Sequence, residues 1–308
     1  MKLRGVVPVI ATPFNEDETI DEASLRGQVD FAIGAGAAAV CMPGFGSEFY
    51  KLSDPERYRV SEVMVEQAGR RVPTVISTGS GSVYTTIQFS RYAESIGADC
   101  LMVLPPRISP LALEELMLFY ERVCGSVSIP VMVQDADFSG SGIPATVLAE
   151  LSRRCSNLKF AKLEIPLPGG KCARIIRESE GRLQVLFGLW GIYMVSGLDH
   201  GACGIMAGPG LTEVYARIIS LFDEGRPEDS KGLLYRAQPY MVFCLEHLEA
   251  GLVLDKRTLK RRGILKSERL REPYPHLEEI YSKEMDGLVE LGLALCQEVR
   301  GVAAGNQV

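Results

Sequence analysis

Short apolar segments alternate with longer amphipathic segments along almost the whole chain. Eight of the apolar segments contain little polar alternation, which is typical of strands buried on both faces of a parallel sheet. These predicted strands are Val6–Thr12, Ala38–Met42, Pro73–Thr78, Cys100–Leu104, Pro130–Gln134, Leu158–Leu163, Leu183–Gly188 and Cys203–Met206. The periodicity between them predicts helices at Glu22–Gly34, Pro55–Gln67, Val83–Ser95, Leu113–Cys124, Pro144–Arg153, Lys171–Ser179, Trp190–Leu198 and Leu211–Glu224.

Eight successive strand–helix units predict an α/β fold, a (β/α)₈ TIM barrel. A doubly wound open sheet is the alternative, but Pro13-Phe14 follows the first strand where a dinucleotide-binding fold has a glycine-rich turn. Further helical segments are predicted at Pro227–Leu252, Lys256–Lys266 and Leu277–Val302. We therefore expect a barrel over residues 1–225 and a helical C-terminal extension, packed on the barrel, over residues 226–308.

The composition argues against several classes of function. A net charge of −6 disfavours nucleic-acid binding, and the longest uncharged stretches are too short and too rich in glycine for membrane spans. None of the eight cysteines forms a CxxC pair and the three histidines are far apart, so we expect no metal and no cofactor. Free thiols in this number suit a reducing cytoplasm, which is the predicted location.

Lys162 is the strongest candidate for chemistry, because it lies near the end of the apolar segment 158–163. Burial removes water from an ammonium group, which disfavours the charged form and leaves a nucleophilic amine. Such an amine can form a Schiff base with a ketone. Two structural alternatives stay open, in which Lys162 reaches the surface or pairs with Glu164.

The predicted fold brings other polar positions close to Lys162. Active sites of TIM barrels lie at the carboxyl ends of the strands. Lys162 is at that end of the sixth predicted strand, Gln134 closes the fifth, and residues 44–48 follow the second. We expect all three to lie on one rim of the barrel.

Several motifs share a pattern with one known family. They are Gly5–Phe14, Pro43–Phe49, Gly97–Pro106, the segment around Lys162, and Gly201–Met206. With them the chain resembles the dihydrodipicolinate synthase / N-acetylneuraminate lyase family of class I aldolases and dehydratases. The resemblance implies a Schiff base on Lys162, a small carbonyl substrate such as a 2-oxo acid, and a homo-oligomer (dimer or tetramer). Apolar residues at 111–118 and 252–254 also look exposed, which favours an oligomer.

The departures from the family pattern lie at the predicted site. Gln134 stands where the family has a tyrosine that relays protons, and glutamine cannot donate and recover a proton near neutral pH. Phe45 and Gly46 replace two threonines that bind the keto-acid carboxylate, so Ser47 is the nearest hydroxyl. These replacements argue against dihydrodipicolinate synthase activity.

Two acids flank the missing tyrosine. Asp135 and Asp137 could supply protons, or could be solvated or capping acids of a loop. Successive strand residues face opposite sides, so Asp135 is expected to point away from the barrel and Asp137 is the preferred relay. Arg107 could bind an anion or pair with a surface acid. The predicted catalytic residues are thus Lys162, Gln134 and Asp137, and the predicted substrate-binding residues are Gly46, Ser47, Arg107 and Ile205.

The predicted function is a lyase that performs aldol or dehydration chemistry on a 2-oxo acid or related carbonyl compound. The reaction would run through a Schiff base on Lys162, with an altered proton relay. The alternative is a catalytically altered or inactive barrel that serves as a small-molecule binding or regulatory protein.

Overall fold

The computed structural model describes residues 1, 3–107, 111–275 and 277–305, without the side chains of residues 302–305. Eight parallel strands in these residues form one sheet in the order β1-β8-β7-β6-β5-β4-β3-β2. They are β1 (Gly5–Val6), β2 (Val40–Met42), β3 (Thr74–Ser77), β4 (Cys100–Val103), β5 (Val131–Ala136), β6 (Leu158–Glu164), β7 (Gln184–Phe187) and β8 (Gly204–Ile205).

Eight helices follow the strands, and three more follow the last strand–helix unit. The first eight are α1 (Glu22–Gly34), α2 (Asp54–Ala68), α3 (Val83–Ser95), α4 (Leu113–Cys124), α5 (Ala145–Arg154), α6 (Pro168–Glu178), α7 (Met194–Asp199) and α8 (Thr212–Asp223). The last three are α9 (Pro227–Glu246), α10 (Leu248–Arg261) and α11 (Glu279–Gly305). This order confirms the predicted (β/α)₈ TIM barrel with a helical C-terminal extension.

The sheet closes on itself between β1 and β2. The backbone oxygen of Val6 accepts a hydrogen bond from Ala38, and that of Pro8 accepts one from Cys41, at 2.8 and 3.0 Å. At the other side of β1, Gly5 pairs with Gly204 of β8, where a Cβ on Gly204 would overlap the backbone of Gly5. The short first and last strands therefore meet closely enough to complete the ring.

Alternation along the strands divides the buried residues into two layers. The barrel interior is filled by a compact cluster of small and apolar side chains, which comprises Leu3, Val7, Val9, Ala39, Cys41, Val75, Cys100, Met102, Met132, Phe160, Leu186 and Met206. The intervening strand residues pack outward against the helices in a larger second cluster. Both faces of the sheet are thus buried, as the continuous apolar segments predict.

All eight predicted strands are present, but β1 ends at Val6 and not at Thr12. Strands β5 and β6 extend beyond their predicted ends, to Ala136 and Glu164. Two predicted barrel helices are wrong at their starts. Helix α6 begins at Pro168 and not at Lys171, because proline is well suited to the first position of a helix. Helix α7 begins at Met194 and not at Trp190, because Leu189 and Trp190 adopt left-handed backbone angles with φ of 53° and 49°.

The C-terminal helices also differ from the prediction. The predicted helix over 227–252 ends at Glu246, where His247 becomes extended and its ring accepts the backbone N–H of Glu249 at the start of α10. Residues 252–254 lie within α10 and are buried inside the chain, so the expectation that they are exposed is wrong. They therefore give no support for an oligomer.

A buried ion pair joins the extension to the barrel rim. Lys256 of α10 donates a hydrogen bond of 2.6 Å to Glu48 in the loop after β2, and neither side chain is exposed. Burial lowers the pKa of Lys256 to about 8, against the opposing effect of Glu48. The second carboxylate oxygen of Glu48 accepts the backbone N–H of Arg271. The loop after β2 is therefore held by two segments of the extension.

We expect Glu48→Gln to lower the free energy of unfolding by about 3–5 kcal/mol, because it leaves the ammonium group of Lys256 buried without a counter-charge. Adding Lys256→Met should recover a large part of this loss, since it removes the unpaired charge. Urea unfolding of the single and double variants measures both effects. Glu279→Gln, at an exposed ion pair with Lys283, is the matched control and should change little. Equal losses in the single and double variants would contradict the explanation.

Candidate functional site

Two ionisable side chains of strand β6 point into the barrel interior. Phe160, Lys162 and Glu164 alternate with Ala161 and Leu163, and the latter two belong to the outer apolar cluster. Residues two apart on a strand face the same side. The spacing therefore places the amine and the carboxylate one above the other at the carboxyl end of the barrel.

Lys162, Glu164 and Gln134 form one hydrogen-bonded group. The Nζ atom of Lys162 lies 2.9 Å from Oε1 of Glu164, and Nε2 of Gln134 donates to Oε2 of Glu164 at 2.7 Å. Gln134 is aligned with Lys162 in the register of β5 and β6. All three residues are buried, with 1–7% of their surface exposed. Of the alternatives left open for Lys162, the pairing with Glu164 is the one observed.

Lys162 and Glu164 of this group line a small pocket with a cavity volume of about 50 Å³. Apart from Lys162 and Glu164, the lining is apolar or backbone, and it consists of Val9, Phe45, Gly46, Phe138, Leu189, Trp190, Met206, Ala207, Gly208 and Leu248. Phe45 and Phe138 meet edge to face across the mouth, with ring centroids 6.0 Å apart. A small molecule in this pocket would meet its ionisable groups only at the floor.

The wall formed by Trp190 is fixed from the C-terminal extension. The indole Nε1 donates a hydrogen bond of 2.8 Å to Asp255 of α10, and the hydroxyl of Tyr240 donates to the other oxygen at 2.9 Å. Burial raises the pKa of Asp255 to about 6, and these hydrogen bonds oppose the increase. The hydrogen bond from Trp190 to the buried carboxylate of Asp255 thus stabilises the left-handed backbone at Leu189 and Trp190.

The loop after β2 presents one of its two predicted substrate-binding residues to the pocket. Gly46 lines it, and a Cβ at this position would approach Val9 to 3.1 Å. The hydroxyl of Ser47 is buried and donates to the backbone oxygen of Ile10 at 2.5 Å while accepting the N–H of Gly44. Ser47 therefore braces the loop, and its role in substrate binding stays a prediction.

The two acids at and just beyond the end of β5 have partners outside the pocket. Asp135 faces outward, as expected, and pairs with Lys171 of α6. Burial raises the pKa of Asp135, against the lowering effect of Lys171. The two carboxylate oxygens of Asp137 accept the backbone N–H groups of Gly140 and Gly142, at 3.0 and 3.1 Å. Asp137 does not line the pocket described above, and its role as proton relay stays a prediction.

The remaining predicted site residues lie around the pocket. Arg107 is exposed, donates to the backbone oxygen of Ala136 at 2.8 Å, and has its guanidinium 5.6 Å from the ring centre of Phe138. Ile205 belongs to the outer apolar cluster, and the next three residues of the chain line the pocket instead. The substrate-binding roles of Arg107 and Ile205 stay predictions.

Sequence reasoning missed several residues of the site. Glu164 was considered only as an ion-pair partner, although its spacing from Lys162 on a strand is a usable signal. A left-handed turn brings Trp190 to the site. The packing of α10 brings Leu248 and Asp255 to it. No local periodicity in the sequence indicates either feature.

Two kinds of feature are absent from the part of the chain that the structure describes. Within residues 1, 3–107, 111–275 and 277–305, no group of three or more His, Cys, Asp or Glu side chains is arranged to hold a metal ion. In that same part of the chain, no helix combines the length and apolar character that a membrane crossing needs.

Comparison with known proteins gives a consistent result. A profile of the dihydrodipicolinate synthetase family matches residues 2–291. L-2-keto-3-deoxyarabonate dehydratase from Azospirillum brasilense is 30% identical over 285 residues, which cover 89% of each chain. The 4-hydroxy-tetrahydrodipicolinate synthase of Methanococcus vannielii is 26% identical over 277 residues, which cover 86% of this chain and 91% of that protein.

A solved structure shares the fold. The 4-hydroxy-tetrahydrodipicolinate synthase of Methylacidiphilum fumariolicum SolV superimposes with a TM-score of 0.88 over 97% of this chain and 99% of that chain, at 19% identity. Similarity at this level of identity concerns the architecture alone.

We expect the fluorescence of Trp190, the single tryptophan of the chain, to titrate with a midpoint near pH 6. Asp255 is neutral below this pH and ionised above it, so the charge beside the indole Nε1 changes there. The pKa of the neighbouring Tyr240 is raised well above its usual value, so Tyr240 does not ionise in this range. Emission spectra between pH 4 and pH 8 measure the transition, and Asp255→Asn should remove it. The same midpoint in the variant would contradict the assignment.

Proposed function

The chain belongs to the dihydrodipicolinate synthetase family, and from that premise we propose that Lys162 forms a Schiff base with a 2-oxo acid. The family and the relatives it matches place the chain among lyases, aldolases and dehydratases. The observation that carries the proposal is the buried amine of Lys162 on the floor of the pocket, 2.9 Å from a carboxylate. Aldol or dehydration chemistry would follow from the imine.

The surroundings of Lys162 support this role. Its amine lies at the carboxyl end of the barrel, where the active sites of this fold are built. The apolar walls exclude water from the imine, and Glu164 offers a proton acceptor for the ammonium group. Conversion of the ammonium to a neutral amine, which nucleophilic attack requires, therefore needs no group from outside the pocket.

The substrate is proposed to be a small 2-oxo acid. The Azospirillum relative is a dehydratase of L-2-keto-3-deoxyarabonate, so 2-keto-3-deoxy sugar acids are the first compounds to test. Dihydrodipicolinate synthase activity is not proposed. Gln134 holds the position of the family's proton-relaying tyrosine, and its amide donates to Glu164.

We expect borohydride reduction in the presence of pyruvate or L-2-keto-3-deoxyarabonate to add one substrate-derived group to Lys162, because reduction converts an imine to a stable amine. Mass spectrometry of peptides locates the adduct. Lys162→Ala should remove it. Lys159→Ala, an exposed lysine on the same strand, is the matched control and should keep it.

Absence of any adduct on the native chain would overturn the Schiff-base proposal and favour the non-catalytic alternative. An adduct that persists in Lys162→Ala would move the imine to another lysine. A coupled assay with pyruvate and aspartate semialdehyde measures dihydrodipicolinate synthase activity on the same preparation. Turnover on the order of 1–10³ s⁻¹ there would contradict the exclusion of synthase activity.

We also propose that the chain forms a homo-oligomer, a dimer or a tetramer, in the cytoplasm. Leu113 and Leu118 of α4 are 48% and 55% exposed, and an additional chain would cover them. All eight cysteines are free thiols, which suits a reducing compartment. Light scattering should give a multiple of 33.7 kDa, and a mass of one chain at micromolar concentration would contradict the assembly. Cell fractionation tests the location.

A further inference from the structure

We propose that Glu164 is the catalytic acid–base residue of this site and that Gln134 is the residue that positions it. The inference rests on the proposed Schiff base at Lys162. Forming an imine requires protons to leave the amine and reach the departing oxygen, and forming the enamine requires a proton to leave the carbon next to the imine. The site must therefore contain a group that can accept and return a proton.

Glu164 is the one such group that lines the pocket beside Lys162, among the residues that the structure describes. The other lining side chains are aliphatic, aromatic or absent, and the indole of Trp190 is already bound to Asp255. The distance of 2.9 Å between Oε1 and Nζ is within the range for direct proton transfer. Position and chemistry thus select the same residue.

The carboxylate of Glu164 is held in one orientation. Oε2 accepts the amide N–H of Gln134 at 2.7 Å, which leaves Oε1 directed at the amine. Gly188, at the end of β7, provides the space, because a Cβ there would overlap the side chain of Glu164. A glutamine at position 134 cannot exchange protons, but it can aim a neighbour that does.

Lys162 and Glu164 together can supply and accept every proton that imine formation requires. Glu164 takes a proton from the ammonium of Lys162, and the free amine attacks C2 of the 2-oxo acid, forming the C–N bond while the carbonyl π electrons move to oxygen. The second amine proton moves to that oxygen, and the carbinolamine results. Protonated Glu164 then gives its proton to the hydroxyl, which leaves as water while the C=N bond forms.

The carboxylate is then free for the next step. It removes a proton from C3, the C–H electrons form the C2=C3 bond, and the imine π electrons return to nitrogen as the enamine forms. Return of the proton to C3 reverses this step. In deuterated water the acid proton of Glu164 exchanges with solvent, so C3 acquires deuterium. No oxidant, reductant or metal takes part.

The competing acids are less well placed in the described structure. Asp137 has both oxygens occupied by backbone N–H groups of its own loop, and Asp135 pairs with Lys171 on the outer face of the barrel. The hydroxyl of Ser47 donates to the backbone oxygen of Ile10, and Ser47 does not line the pocket. Glu164 needs no rearrangement to act.

The experiment uses proton NMR to follow the replacement of the C3 protons of pyruvate by deuterium in deuterated water. Borohydride trapping of the imine is carried out in parallel. Glu164→Gln keeps the size and the contact with the strand but cannot accept a proton. We expect exchange to fall by about 10²–10⁴-fold and the adduct on Lys162 to form more slowly than in the native chain, because Glu164 also moves the protons of imine formation. Glu150→Gln, at a half-buried carboxylate on α5 that pairs with Arg153 and Arg154 away from the pocket, is the matched control and should exchange like the native chain.

Two further variants separate chemistry from loss of structure. Glu164→Ala should regain part of its exchange when formate is added, because a small carboxylate can occupy the space that the side chain leaves. Gln134→Leu should lower the maximal exchange rate about tenfold or less, without changing the pyruvate concentration at half-maximal rate, as expected of a positioning residue.

The outcomes distinguish this inference from the proposed function. No adduct on the native chain overturns the Schiff base and the role of Glu164 together. An adduct with native exchange in Glu164→Gln overturns the role of Glu164 and leaves the Schiff base standing. Exchange that is lost in Asp137→Asn but kept in Glu164→Gln would assign the relay to Asp137.

Discussion

A buried ammonium group is costly unless a carboxylate and further hydrogen bonds compensate for the lost water, and the described residues include three buried lysines, Lys162, Lys171 and Lys256. Lys162 has Glu164 and Lys256 has Glu48, at 2.9 and 2.6 Å. Each carboxylate is held by a second donor, the amide of Gln134 or the backbone N–H of Arg271. Only the first pair lines the pocket, so one arrangement serves chemistry and the other holds the rim together.

Helix α10 controls the walls of that pocket from outside the barrel. Its consecutive residues Asp255 and Lys256 bind Trp190, which follows β7, and Glu48, which follows β2. Leu248, at the start of the same helix, lines the pocket directly. One turn of the extension thus fixes two loops that belong to distant strands. The C-terminal helices are therefore part of the site as well as of the fold. A change in α10 would alter the loops after β2 and β7, which lie on two sides of the pocket.

The sequence predicted the barrel well because its strands are continuous apolar segments and its helices carry clear periodicity. Three helices, α1, α3 and α4, match their predicted bounds. Prediction was wrong where tertiary contacts decide the backbone, as at Trp190, whose left-handed conformation depends on Asp255 65 residues away. Lys162 was predicted from its segment alone; the structure buries it in the pocket, and its catalytic role stays a prediction. Glu164 was read only as an ion-pair partner, because the predicted strand ended one residue before it.

The proposed chemistry depends on a Schiff base on Lys162 whose protons are moved by the carboxylate of Glu164. A crystal structure of the chain reduced by borohydride in the presence of pyruvate tests it most directly. We expect continuous density from Nζ of Lys162 to C2 of the ligand, with Oε1 of Glu164 within hydrogen-bonding distance of Nζ or in contact with C3, and Gln134 still bound to Oε2. Density on another lysine, or a Glu164 side chain turned away while a different acid contacts C3, would contradict it.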